Sequence, residues 1–507
     1  MKYRLYEFVS FLLNLPKNYF MRIIFLFCFF FASFVSLSQS YKISGSVSGL
    51  NNDSVILAYY FGGKQYAVDT AASNEGKFVF QGKKQLGGGM YMVVLPDQKY
   101  FDIIISEQVF SFSTNLNSLI EDMQFKNSKE NPPLYEYLNF ISQKQKEVSI
   151  LREKENSSNN DQEKQTITKQ IQSIDQEVKD YQKLFEEKYS DRFFTKIVKA
   201  TKEPIIPDPP KELTKEQQQK FQFEYYKEHF FDNIDFSDKR MLRTPIFFSK
   251  MDTYLNKLTM QHPDSISKSA DVLVNLSRSN KDIFQYVVSY ITSTYERSKI
   301  MGMDAVFVHM VENYYMNGEA DWIDAKQLKK IEERAEKIAP NLIGRPAPPF
   351  LNQIGMPFMK DENDIVRRMY DIESDYTLLM FYSPDCGHCK KEVPKVKKVL
   401  DSLKTPRFLS NHKVVDITAY AVQTEFDKEA WKDFIKKNEL NDWINVTDIQ
   451  KDPEGNPAAS SNWRDEYDIY STPVIYLLDK KKRILAKRIS YDQIAKIISR
   501  IEDNIQK

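Results

Sequence analysis

Cysteine is nearly absent from this 507-residue chain: there are three, Cys28, Cys386 and Cys389. A secreted protein stapled by disulfides uses many more, so the Cys386 and Cys389 pair reads as kept for reactivity. Histidine is scarce as well, at five, and with two cysteines beyond the N-terminal stretch a structural zinc site is hard to assemble. Neither sign of charge prevails. The 71 basic and 70 acidic side chains leave a formal net charge of +1, so nucleic acid and acidic surfaces have no electrostatic claim as partners. Glycine thins out between about residues 132 and 340, where Lys, Glu, Gln and aromatic residues take over.

The chain is long enough for three or so domains, each with its own core. Residues 21–37 carry one positive charge and an apolar core, followed by small polar residues, Ser38, Gln39 and Ser40. That is the layout of a secretory signal peptide, with cleavage expected near Ser38 to Ser40. The apolar core is short of the roughly 20 residues of a membrane span. An uncleaved N-terminal anchor is the rival reading of residues 1–40. Cys28 follows Phe27, not a small residue, and so does not look like a lipoprotein cysteine.

Residues 41–130 alternate apolar and polar positions between turn signals: Ile43, Gly45 and Val47 against Ser44, Ser46 and Ser48, then Asn51-Asn52-Asp53. Short strands at this spacing indicate an antiparallel β-sandwich. Gly87-Gly88-Gly89 lacks the Gly-Lys-Ser/Thr ending of a phosphate loop and reads as a hairpin turn. Residues 131–340 read as a helical domain. Ile167, Ile171, Ile174 and Val178 mark a helix over 165–189, and Phe284, Val287, Val288, Ile291 and Tyr295 form a second stripe. Asn156–Asn160 is the break before the first of these, and 205–210, with three prolines, is a linker that cannot be helical. Residues 230–236 lack the glycine and closing glutamate of a calcium loop. His229, His262 and His309 are scattered, and read as surface or satisfied core.

Residues 341–507 hold the chemistry. An apolar run, 376–382, leads into Ser383-Pro384-Asp385-Cys386-Gly387-His388-Cys389 and then a helical stripe of Val393, Val396, Leu400 and Leu403. Cys386 then sits at a helix N-terminus, where free N–H groups and the dipole favour a thiolate. Cys389, one turn on, is placed to resolve a mixed disulfide. Haem attachment would need His at 390, where Lys stands, and no second CxxC offers zinc ligands.

This strand–CxxC–helix arrangement resembles the thioredoxin superfamily, and the segment Asp69-Thr70 … Gly76-Lys77-Phe78-Val79-Phe80-Gln81-Gly82 resembles the small β domain that precedes thioredoxin modules in many bacterial envelope proteins. The entry Gly344…Ala347-Pro348…Phe350 and the run Lys390-Lys391-Glu392-Val393-Pro394 resemble the ResA/TlpA branch. The resemblance implies a multidomain α+β chain: β-sandwich, helical domain, thioredoxin-like α/β domain. It implies that Thr472-Pro473 is cis and presents the Thr472 backbone to an extended substrate. It makes Glu392 the proton handler at Cys389, and it leaves Met380 where thioredoxin has a buried aspartate. Gly387-His388 is similar to the centre of protein disulfide isomerases, whose potential of about −180 mV is more oxidising than thioredoxin's about −270 mV. Asp385, just before Cys386, is expected to oppose thiolate formation. No cofactor is expected beyond a redox-active Cys386–Cys389 disulfide. The implied setting is the periplasm or cell envelope, with protein thiols and disulfides as substrates and a membrane-bound electron donor. Three roles stay open: a reductase, an isomerase or oxidase, and a binding or scaffold protein with a secondary thioredoxin module.

Overall fold

Alternation with period two builds the first sheets. Tyr41, Ile43, Gly45 and Val47 are buried while Lys42 and Ser48 are exposed, as a strand with one face on a core requires. In the computed structural model, which describes residues 40–352, 355–405, 414–425, 427–451, 457–459 and 463–505, such strands fill the N-terminal region. They are β1 (Tyr41–Ser48), β2 (Ser54–Phe61), β3 (Lys64–Ala72), β4 (Lys77–Gly82), β5 (Gly89–Val94), β6 (Tyr100–Ile105), β7 (Val109–Asn115) and β8 (Gln124–Lys126). They form two four-stranded sheets, β4-β1-β7-β8 and β3-β2-β5-β6, whose inner faces share one cluster including Ile43, Phe80, Val55, Val93 and Ile103. All pairings are antiparallel except β1 with β7. The expected leader and Cys28 lie outside the described residues.

The triple glycine is not a hairpin turn. It leads from β4 in one sheet to β5 in the other, and its lack of side chains makes room for a cation. A Cβ on Gly87 would lie 2.6 Å from the Arg243 guanidinium carbon, and one on Gly89 would lie 2.4 Å from Arg243 Cβ.

The helices follow the apolar stripes. After α1 (Asn131–Ser157), Asn160 caps α2 (Asp161–Lys188) by accepting the Gln162 N–H, which is the break marked by the Asn/Ser run. Ile167, Ile174 and Phe185 form the buried face of α2. Then come α3 (Phe193–Ala200), α4 (Lys215–Glu228) and α5 (Pro245–Asn256). The chain divides into two compact units between Met251 and Asp252, inside the segment read from sequence as one helical domain.

In the second unit α6 (Pro263–Ser277), α7 (Lys281–Glu296), α8 (Asp304–Met310) and α9 (Ala325–Ile338) precede the last module. The expected stripe on α7, from Phe284 to Tyr295, is buried. The module itself comprises β9 (Tyr376–Tyr382), α10 (Gly387–Lys404), β10 (Ile417–Gln423), α11 (Lys428–Lys437), β11 (Ile444–Thr447), the short pair β12 (Ile449–Lys451) and β13 (Pro457–Ala459), α12 (Trp463–Glu466), β14 (Val474–Asp479), β15 (Ile484–Lys487) and α13 (Tyr491–Ile505). Its five-stranded sheet runs β11-β10-β9-β14-β15, with β9, β10 and β11 parallel and β14 antiparallel to β9. Every residue of β9 is buried. Leu378, Met380 and Tyr382 pack with residues of α10, α11 and α13, while Leu379 and Phe381 pack on the other face with Phe350, Trp463 and Tyr467. A sheet covered on both sides explains the unbroken apolar run.

Candidate functional site

The parallel strands end together, and the turn after β9 delivers two sulfurs to that end. Ser383 shapes the turn: its carbonyl accepts the Cys386 N–H at 3.3 Å and its hydroxyl accepts the Asp385 N–H at 3.2 Å. Cys386 is the N-cap residue of α10, with extended φ and ψ of −67° and 122°, and its carbonyl accepts the Lys390 N–H at 3.0 Å. The side chains of the first helical turn therefore divide by position. Cys389 points into the core and is fully buried, Cys386 is half-buried, and Gly387 and His388 are exposed. Both cysteines are free thiols.

Across from them lies the loop before β14, where the Thr472–Pro473 peptide bond is cis. The Cys386 thiol donates to the Thr472 carbonyl at 3.3 Å, and the Ser383 N–H donates to Cys389 Sγ at 3.5 Å. Burial pushes the Cys386 thiol up. Hydrogen bonding from the N–H groups of Cys389 and His388, from the Thr472 side chain and from the Cys389 thiol outweighs it and holds Cys386 below its ordinary value. Burial pushes Cys389 up, to about 11, and the Cys386 thiolate beside it adds to the rise. Two like groups thus titrate apart, the half-buried Cys386 first.

The other sequence candidates fall as follows. Asp385 is exposed and its carboxylate meets Lys390 Nζ at 3.9 Å; it is not among the groups that shift Cys386. Solvent and a cation one turn away screen its charge. Glu392 Oε1 accepts the Tyr491 N–H at 3.0 Å, satisfying a free donor at the start of α13. Among the described residues it makes no hydrogen bond to either sulfur. Met380 is wholly buried among apolar neighbours.

Two contacts escaped the sequence reading. One is the Ser383 amide on Cys389, a backbone donor that no side-chain pattern announces. The other is Tyr382, fully buried in the same cluster as Cys389, whose hydroxyl accepts Trp431 Nε1 at 2.8 Å. Among the described residues no group of three or more His, Cys, Asp or Glu side chains is arranged to hold a metal.

A family model described as a domain of unknown function (DUF4369) matches residues 41–133, and a second, also described as a domain of unknown function (DUF5106), matches residues 152–341. No curated protein matches the chain. Among solved structures, a domain of a possible thiol-disulfide isomerase from Cytophaga hutchinsonii is 33% identical, over 32% of this chain and 96% of that one, with a TM-score of 0.25. A thioredoxin-like protein from Bacteroides caccae is 18% identical over 58% of this chain and 97% of that one, with a TM-score of 0.40. The thioredoxin domain of a thiol-disulfide oxidoreductase from Bacteroides vulgatus is 24% identical over 31% of this chain and 96% of that one, with a TM-score of 0.24.

Proposed function

Because the chain belongs, through its C-terminal module, to the thioredoxin superfamily of thiol–disulfide oxidoreductases, we propose that it exchanges disulfides with protein substrates through Cys386 and Cys389. The observation that carries the proposal is the opposite displacement of the two thiols on one helical turn, Cys386 lowered and Cys389 raised to about 11.

The steps follow from that asymmetry. Cys386 supplies the thiolate, which attacks one sulfur of a substrate disulfide. A bond forms between Cys386 and that sulfur, the substrate S–S bond breaks, and the electron pair leaves on the distal substrate sulfur. Cys389, protonated until then, gives its proton to the departing thiolate and attacks Cys386 Sγ. The Cys386–Cys389 disulfide forms and the second substrate sulfur is released. Two electrons and the Cys389 proton have passed to the substrate. Its second sulfur leaves as a thiolate and takes its proton from solvent, where the Cys386 proton went at the start, and a dithiol donor must restore the reduced pair. Thr472, whose carbonyl already meets the Cys386 thiol at 3.3 Å, is the backbone an extended substrate would pair with. Glu392, whose Oε1 accepts the Tyr491 N–H, keeps in this reading the role that the resemblance implies, handling the proton of Cys389.

The remaining assignments belong to the same proposal. The chain is exported by its first 40 residues and works in the periplasm or envelope. A membrane-bound partner supplies electrons, and a sandwich and helical segment precede the exchange module. Among the described residues no helix is long and apolar enough to cross a membrane. The exposed His388 beside a lowered thiol favours a second direction, isomerase or oxidase, because a cation there stabilises the reduced form. Insulin reduction, together with the equilibrium of the pair in glutathione buffers, separates the readings. A reducing, active couple supports the reductase and an oxidising one the isomerase or oxidase. A chain inert to both is a scaffold. Cys389→Ser in whole cells should accumulate mixed disulfides with its substrates.

A further inference from the structure

The loop that ends at Thr472 is anchored from outside the thioredoxin module. Upstream of it, Asp468 Oδ1 pairs with Arg334 Nη1 at 2.7 Å, and Asp465 Oδ1 pairs with Lys337 Nζ at 3.2 Å. Arg334 and Lys337 both belong to α9 and lie three residues apart, on one helical face. The Asn341 amide just beyond α9 donates to the Glu466 carbonyl. The Lys337 ammonium also lies 5.9 Å from the Tyr470 ring centroid.

The module also holds this stretch, upstream of residue 470: Tyr467 is buried in its core and donates to the Pro348 carbonyl at 2.5 Å. Arg488 Nη2 reaches the Asp468 carbonyl and Oδ2, at 2.7 and 2.9 Å, and the Tyr476 hydroxyl donates to the Tyr467 carbonyl at 3.0 Å. Among the described residues no side-chain bond from within the module fixes Tyr470 or Ser471. The Asp468 carboxylate is 8% exposed, and its backbone adopts a left-handed φ of 53°. That carboxylate is shared between a cation of the module and one of α9. Tyr470 itself is 69% exposed, two residues before the carbonyl that meets the reactive thiol.

We propose that Arg334 and Lys337 of α9 are positioning residues for disulfide exchange, holding residues 465–470 so that Thr472 stays against Cys386 and Tyr470 stands at the substrate's approach. The claim rests on the exchange reading of Cys386 given above. A small disulfide needs only the sulfur, whereas a polypeptide disulfide also needs the ordered backbone of Thr472 and its flank. The two substrate classes therefore respond differently when α9 lets go.

The test uses the full chain carrying Arg334→Gln with Lys337→Gln. Reduction of insulin should show about a fivefold rise in KM with kcat within about twofold, while the rate with the small aromatic disulfide dithiobisnitrobenzoate stays within about twofold, both read at a pH above the Cys386 midpoint of every variant. The pH midpoint for alkylation of Cys386 should rise, since the Thr472 side chain helps hold that thiol down. Arg334→Lys with Lys337→Arg should restore both. Arg334→Gln alone carries the same prediction at a smaller size and covers a double variant too unstable to assay. Unchanged insulin KM and an unchanged Cys386 midpoint would overturn the inference and leave the exchange reading intact. Failure of the exchange reading looks different: the unsubstituted chain would reduce neither disulfide, and the inference would fall with it.

Discussion

The β sheets of the N-terminal unit and the thioredoxin-like module both bury ionisable groups, yet the consequences differ. In the first, burial lifts the Asp102 carboxyl to about 6; Tyr60 donates to that carboxylate at 3.0 Å, and Tyr135 to the Asp102 carbonyl at 2.9 Å. The same unit has a groove of about 730 Å³ lined by Ser44, Ser46, Lys77, Phe78, Ser113 and Lys126. No nucleophile with a partner base lies in it. In the module two like groups sit on one turn of helix with their titrations driven apart. A lone shifted group records packing. A split pair defines a direction in which protons and electrons can move.

The largest effect that tests this contrast is loss of the attacking sulfur. Cys386→Ser should lower insulin reduction by more than about a thousandfold, whereas Asp102→Asn should leave it within about twofold. If the aspartate variant lost exchange activity, the contrast would break.

Asp102 should instead register in stability. Its folded value of about 6 exceeds the ordinary 3.8, so the folded state favours the protonated carboxyl. That contribution is fully present below pH 3.8 and is lost as pH rises through about 6. The full chain should therefore lose on the order of 2 kcal/mol in its N-terminal transition between pH 4 and pH 7, beyond the loss shown by Asp102→Asn. Urea unfolding of both proteins at the two pH values measures the difference, and equal pH slopes would refute it.

A smaller effect is expected at Tyr382. Its phenol is buried in the cluster that holds Cys389, and Tyr382→Phe strands the Trp431 N–H. A loss of about 1–2 kcal/mol should follow, with insulin reduction within about twofold. A large fall in exchange would instead make Tyr382 part of the proton path.

Much of this was legible in the sequence because it is local. Strand alternation from Tyr41, the α7 stripe and the placement of Cys386 at a helix start are written within a few residues of where they act. The triple glycine shows the limit: Gly-rich composition announces a change of direction, but not which sheet receives the next strand. For Asp385, adjacency in sequence says nothing of its exposure or of Lys390 one turn on. Glu392 was assigned by analogy, and its observed partner, Tyr491, is 99 residues away. The hold of Arg334 on Asp468 spans 134 residues, and two oppositely charged side chains that far apart leave no periodic trace.

The claim that one sulfur attacks while the other waits is tested most directly by alkylation with iodoacetamide across pH, read at each cysteine by mass spectrometry in the reduced full chain. The prediction is a midpoint for Cys386 below that of an ordinary cysteine thiol, and one for Cys389 near pH 11. Coincident midpoints, or Cys389 reacting first, would contradict it.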